Sequence, residues 1–179
     1  MIYYCEHPSP VGRLFLASRG EALMGLWIEG QKYFKGSIKE EFCENDSLEI
    51  FTKAKAWLNA YFAGQNPDVN ALPLAPEGSP FQKAVWDILI TIPYGKLTTY
   101  GAIAKQIAQS TGKSAMSAQA VGGAVGHNPI SIIIPCHRVV GASGSLTGYA
   151  GGVGIKKQLL LHEGADMSNL FVPKKGTAI

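Results

Sequence analysis

Four prolines, Pro67, Pro73, Pro76 and Pro80, fall within fourteen consecutive residues of this 179-residue chain. Each lacks an amide donor and fixes φ, so neither a helix interior nor a central strand can run through NPDVNALPLAPEGSP. The stretch therefore divides the chain. We expect an N-terminal αβ domain over residues 1–76, with its linker starting near residue 65, and a second domain over residues 77–179. At 46% apolar residues the chain can bury a real core in each.

On the N-terminal side, Val11 to Ser18 and Ala22 to Glu29 are rich in Val, Leu, Phe, Ile and Trp, with Arg19 and Gly20 between them as turn material. Two neighbouring strands follow. From Leu48 to Ala63 the apolar residues repeat at helical spacing and Gly64 sits where a C-terminal cap belongs. On the C-terminal side, Ser79 as N-cap and Pro80 at the first helical position open a helix with Phe81, Val85, Ile88, Leu89 and Ile92 on one face, ending near Pro93. Thr98 is then placed to cap a second helix with Ile103, Ala104, Ile107 and Ala108 as its apolar stripe. After the polar connector QSTGKSAMS comes AQAVGGAVG, small almost throughout, so that another backbone could approach it closely. The pair predicts a helix-turn-helix with a loop longer than the usual three to four residues. Ile130 to Ile134 predicts a short, buried, extended segment, and GASGSLTGYAGG, with five glycines in twelve residues, predicts a mobile loop. Ile155, Leu159 and Leu160 mark a last helix, with Glu163 in its final turn and Gly164 behind it.

Charge is distributed unevenly. Before Ser79 there are 7 basic and 10 acidic residues; from there on, 9 and 3. A basic second half suits a polyanionic partner, although ordinary solubility charge reads the same way. The three cysteines, Cys5, Cys43 and Cys136, form no CxxC pair, which speaks against a disulfide framework and a zinc cage and for a reducing, cytoplasmic setting. The N-terminus carries no basic-then-apolar leader, and no stretch reaches the roughly 18 apolar residues of a membrane span.

Cys136 adjoins His137. A thiol is only a few per cent ionised at neutral pH, so a nucleophilic cysteine needs a nearby base or positive charge. The dipeptide alone equally fits a small buried cysteine after an apolar run. In context, IPCHRVVG preceded by GHNP and followed by LTGYAGG and KKQLLLHEG resembles the signature of the O6-alkylguanine-DNA alkyltransferases. The likeness runs from about Ser79 to Ala165, and SPVGRLFLAS resembles the start of the family's first domain.

The resemblance implies an α+β fold: a small N-terminal ribonuclease H-like αβ domain, then a mainly helical C-terminal domain with a winged-helix-like helix-turn-helix. It implies irreversible, single-turnover transfer of the alkyl group from O6-alkylguanine, and from O4-alkylthymine, in double-stranded DNA to Cys136. The target must be flipped, because the O6 substituent lies within the base stack. By the same likeness His137 removes the thiol proton through a water, Glu163 orients His137, Tyr100 donates toward the departing base, and Asn128 is a hinge beside the cysteine. The acid at Glu163 also opposes the helix dipole, a placement better suited to a partner than to solvent. Tyr149, Ala150 and Gly151 match the lid of the alkyl pocket, Val139 offers its backbone to the guanine edge, and Arg138, in the same motif, is expected to contact substrate or DNA. Gln119, Ala120, Gly122, Gly123 and Val125 lie on the helix that the family inserts into the minor groove.

Gln119 departs from the arginine usual at its position, and Lys113 could supply the missing charge. Some members hold a structural zinc in the first domain; Cys5 and His7 lack a second ligand pair, so no metal or other cofactor is expected. No obligate protein partner and no membrane are implied. The alternatives are a lesion-sensing DNA-binding protein without turnover, against which the acceptor cysteine argues, a cysteine hydrolase and a helix-turn-helix regulator.

Overall fold

Short runs of β-branched, leucine and aromatic residues build the first sheet: β1 (Ile2–His7), β2 (Leu14–Ser18), β3 (Leu23–Ile28) and β4 (Phe42–Glu44), in the order β3-β2-β1-β4. The β1–β2 and β2–β3 pairs are antiparallel, and β4 lies parallel to β1 at the edge. The N-terminal β1 and the three-residue β4 escape the sequence reading; neither alternates cleanly between apolar and polar residues. One apolar cluster gathers Ile2, Ala17, Met24 and Trp27 with Phe15, Phe34, Ile38 and Phe42. Gly25 makes room for it, since a Cβ there would lie 2.0 Å from the Trp27 indole. Helix α1 (Glu49–Phe62) buries Ile50, Phe51, Ala54, Trp57, Leu58 and Tyr61, the face its spacing predicts.

The computed structural model describes residues 1–174 and divides into two units. Met1–Glu77 and Pro129–Ile133 form the first; Gly78–Asn128 and the chain from Ile134 form the second. Two features of the first differ from the simple reading. The proline-rich stretch is not a free linker: the Leu23 amide donates to Pro73 O at 2.9 Å and the Ala75 amide to Leu23 O at 2.8 Å, so Leu74 extends the sheet between two prolines that lack donors. In addition, Pro129–Ile133 returns to this unit, with Ile130 bridging Leu26.

That returning segment is buried, but it is not extended. Ile133 donates to Ser131 O at 2.8 Å around Ile132, whose φ is +71°, a γ-turn strained for a β-branched residue. An apolar run shows that a segment is buried and leaves its backbone path open.

In the second unit, α2 (Pro80–Ile90) starts with a complete capping box: Gln82 N donates to Ser79 Oγ, and Ser79 N to Gln82 Oε1. Trp86, Val85 and Leu89 are its buried residues, and the Trp86 indole donates to Ala124 O at 2.9 Å. Helix α3 (Tyr100–Thr111) buries Ile103, Ala104, Ile107 and Ala108. Its cap is Thr99, whose hydroxyl accepts from Ala102, rather than Thr98, which belongs to β5 (Thr98–Thr99). Six residues lead to α4 (Ala118–Gly126), capped by Ser117. Strand β6 (Val139–Val140) runs parallel to β5. Last comes α5 (Val153–His162), with Glu163 as C-cap and Gly164 beyond it. Among the described residues no helix is long and apolar enough to cross a membrane.

Candidate active site

Cys136 stands on a single 3₁₀ turn, Cys136–Arg138. Pro135, at φ −82° and ψ 64°, forms the inverse γ-turn that starts it, with the Cys136 amide donating to Ile134 O at 2.8 Å. On the other side of the excursion through the first unit, Asn128 is buried and its side-chain amide donates to Ile134 O at 2.8 Å. Asn128 also hydrogen-bonds the Cys136 thiol.

The residue Cys136 is 4% exposed. Burial pushes its thiol up, and the Asn128 bond and the Lys156 charge offset only part of that rise. The sulfur therefore lies in a polar, charged recess of the protein interior.

His137 is fully buried and its Nε2 lies 2.6 Å from Glu163 Oε1. Glu163 also accepts from Arg138 Nε (2.9 Å) and the Gly95 amide (3.1 Å) at Oε2, and from Arg138 Nη2 (3.0 Å) at Oε1. Burial works to raise the Glu163 carboxyl, but the bonds from His137 and Arg138 outweigh it and hold the group well below the usual carboxylate range. Burial lowers His137, despite Glu163. An ionised carboxylate only accepts, so the neutral imidazole must carry its proton on Nε2. Among the described residues Nδ1 is left as a buried acceptor with no hydrogen-bond partner. The Tyr149 hydroxyl is likewise buried without one, and the Tyr149 and His137 rings meet edge to face at 6.5 Å.

The glycine-rich segment is folded against this centre. Leu146, Gly148 and Tyr149 are buried, and the Tyr100 hydroxyl donates to Thr147 O at 2.9 Å. Gly148, at φ +86°, is forced by the approach: a Cβ would lie 2.2 Å from the Tyr100 oxygen. Ala150 and Gly151 are half-buried.

Three expected contact residues are buried. Arg138 is buried against Glu163 in a two-pronged pair, with its Nη1 on Ile92 O and its guanidinium over the Tyr94 ring, so it is not available to a phosphate. Val125 is 1% exposed, because Val121, Ala124 and Val125 form the inner face of α4. Val139 is buried; its amide donates to Cys136 O and its carbonyl accepts from Lys156. By contrast, Gln119 and Ala120 are exposed, Gly122 and Gly123 partly so, and Gln119, Gly122 and Gly123 line a 510 Å³ cavity with Tyr100, Thr147 and Gly148.

The sequence reading missed Lys156. It is fully buried, although its place three and four residues before Leu159 and Leu160 puts it on the inner face of α5, a signal that was legible. In the first unit, Cys5 interacts with Asp46 and Lys55, and His7 Nε2 lies 2.9 Å from Asn59 Oδ1. Among the described residues no three His, Cys, Asp or Glu side chains gather as a metal site.

A sheet-based first unit, followed by a helical unit with three side-chain-capped helices and a buried Cys136, His137 and Glu163, defines an α+β protein with a sequestered thiol. The comparisons narrow it. Residues 2–76 match the profile of the 6-O-methylguanine DNA methyltransferase ribonuclease-like domain, and residues 80–165 that of the same family's DNA binding domain. The chain belongs to the 6-O-methylguanine DNA methyltransferase family. Among its relatives are the methylated-DNA--protein-cysteine methyltransferases of Methanosarcina acetivorans, 45% identical over 92% of this chain and 99% of that one, and of Haemophilus influenzae, 42% identical over 89% and 84%. The crystal structure of Mycobacterium tuberculosis OGT in complex with DNA matches with a TM-score of 0.78 at 42% identity, covering 94% of each chain.

Proposed function

We infer that this protein repairs alkylated DNA directly, moving the alkyl group from O6 of guanine, or O4 of thymine, in duplex DNA onto Cys136 once per chain. The observation that carries the chemistry is the fixed tautomer of His137. With Nε2 committed to ionised Glu163, Nδ1 is the basic face of the ring. A water between Nδ1 and the thiol passes the proton, and the imidazolium that results faces the Glu163 carboxylate.

The thiolate pair forms the S–C bond, the C–O6 bond breaks, and its electrons go to the guanine. Tyr100 neutralises the departing base by donating a proton. Its hydroxyl now bonds Thr147 O, so the arriving base must take over that donor beneath the loop bearing Tyr149, Ala150 and Gly151. Asn128 holds the thiol, and the second lone pair of the Val139 carbonyl meets the base edge. Gln119, Ala120, Gly122 and Gly123 face the minor groove. The thioether has no ready leaving group, so the protein is consumed. DNA is the partner and the cytoplasm the place of action.

Intact mass after incubation with a duplex carrying O6-methylguanine tests this reading. The wild type should gain one methyl group and Cys136→Ala none; an unchanged wild-type mass refutes it.

A further inference from the structure

Lys156 is a buried ammonium, and the reaction as so far described gives it no part. It is 0% exposed. Its Nζ donates to the carbonyls of Val139 and Thr147, the latter at 2.7 Å, and lies 5.8 Å from the Tyr100 ring centre. Among the described residues no carboxylate lies within ion-pair distance of it. The buried acid of the site, Glu163, is already matched by Arg138. Burying a cation without an anion is costly, and burial lowers Lys156 to about 8, which still leaves it charged at neutral pH.

The ionisable groups tied directly to it are Tyr100, Cys136 and His137, with Tyr149, Arg138 and Glu163 in turn against those. Arg138 and Glu163 neutralise each other, and His137 is neutral at rest. Tyr100 and Tyr149 are held protonated by burial and then by the neighbouring Cys136. Cys136 is the remaining group that can become an anion here, and it and Lys156 shift one another. The two are also tied mechanically. Lys156 holds the Val139 carbonyl, and the Val139 amide closes the turn onto Cys136 O.

We propose that Lys156 is the counter-charge of the Cys136 thiolate: a positioning residue whose ammonium is fixed by two backbone carbonyls before the anion exists. Moving the proton from sulfur to His137 leaves the net charge of the site unchanged. It creates two new charges, and each faces its opposite: imidazolium toward Glu163, thiolate toward Lys156. The preorganised cation stabilises the charged nucleophile with no reorganisation at the moment of reaction. Because Lys156 also shares Thr147 O with Tyr100, one acceptor links the groups that serve the nucleophile and the leaving base.

This inference rests on the alkyl-transfer reading, but its test uses no DNA, so the two can fail separately. Lys156→Gln keeps an N–H donor for the carbonyls and removes the charge; Lys156→Arg keeps the charge. The readout is the rate at which iodoacetamide labels Cys136 near pH 7, followed by peptide mass, with Cys43 as internal reference. Lys156→Gln should react about tenfold more slowly, the equivalent of one pK unit, while Lys156→Arg stays within about threefold of wild type. An unslowed glutamine variant, or equal slowing of both, overturns the proposal by reducing Lys156 to a strut. Should the glutamine variant not fold, the Lys156 ¹³Cε titration in wild type decides. Its midpoint should fall once Cys136 is S-alkylated, and an unmoved midpoint overturns the proposal.

Discussion

Arg138 and Glu163 face each other in a buried two-pronged pair, Nε to Oε2 at 2.9 Å and Nη2 to Oε1 at 3.0 Å. A residue that sequence likeness placed at the DNA surface thus braces the carboxylate that orients His137. Removing it strands a buried charge, so Arg138→Ala should destabilise the protein by about 3 kcal/mol, the scale of breaking a buried pair. Chemical denaturation checks this. Lys in its place cannot reproduce the fork and should recover only part of the loss.

The state of His137 sets an acid-side prediction. Burial depresses its folded pKa, so below the ordinary value near 6.5 the unfolded chain binds a proton that the folded chain refuses. Stability from this group is therefore complete above about pH 6.5 and is lost as pH falls, by about 1 kcal/mol over the first unit. Denaturant melts at pH 7.5 and 5.5 should show the loss, and His137→Phe should flatten it. Glu163, also depressed, adds a second loss only below the usual carboxylate range.

Tyr100 and Gly148 interlock, and the contact can be tested from both ends. Gly148→Ala would place a methyl 2.2 Å from the Tyr100 oxygen at a positive φ, so the loop must leave its seat. We expect slower transfer to Cys136 from DNA and an easily cleaved loop in limited proteolysis. Tyr100→Phe should leave the loop seated and slow transfer by the 10²–10⁴-fold range typical of a lost proton donor.

Helices α3 and α4 carry no acidic residue, and α4 carries no charge at all. Lys105 and Lys113 line a 360 Å³ cavity that meets the Gln119 cavity at Gly101 and Ala118. If these lysines touch the phosphate backbone, Lys113→Gln should lower the salt slope of duplex binding by about 1. Gln119→Arg should tighten binding at fixed salt; unchanged titrations would count against both expectations.

Local chemistry made much of this readable. Ser79, Pro80 and Gln82 specify a helix start on their own, and the spacing around Leu58 and Ile103 fixes which faces are buried. Motif likeness placed Cys136, His137 and Glu163 in one family pattern. What stayed hidden depends on distant partners. Nothing near Arg138 announces that Glu163, twenty-five residues on, is its mate. The smallness of α4 conceals that Val125 points inward. A run of isoleucines cannot reveal that Ile132 bends the chain the other way.

The passage of Pro129–Ile133 into the first unit has a further result. No single break in the polypeptide yields two self-sufficient pieces. A fragment beginning at Gly78 would carry Ile130 without Leu26, and Ser131 without Gln31, leaving apolar side chains and backbone donors bare a few residues before the reactive sulfur. A fragment ending at Glu77 would lack a segment its sheet expects. The first unit takes chain from both sides of Gly78, so truncating the N-terminal half should cripple the chemistry of a cysteine it does not contain.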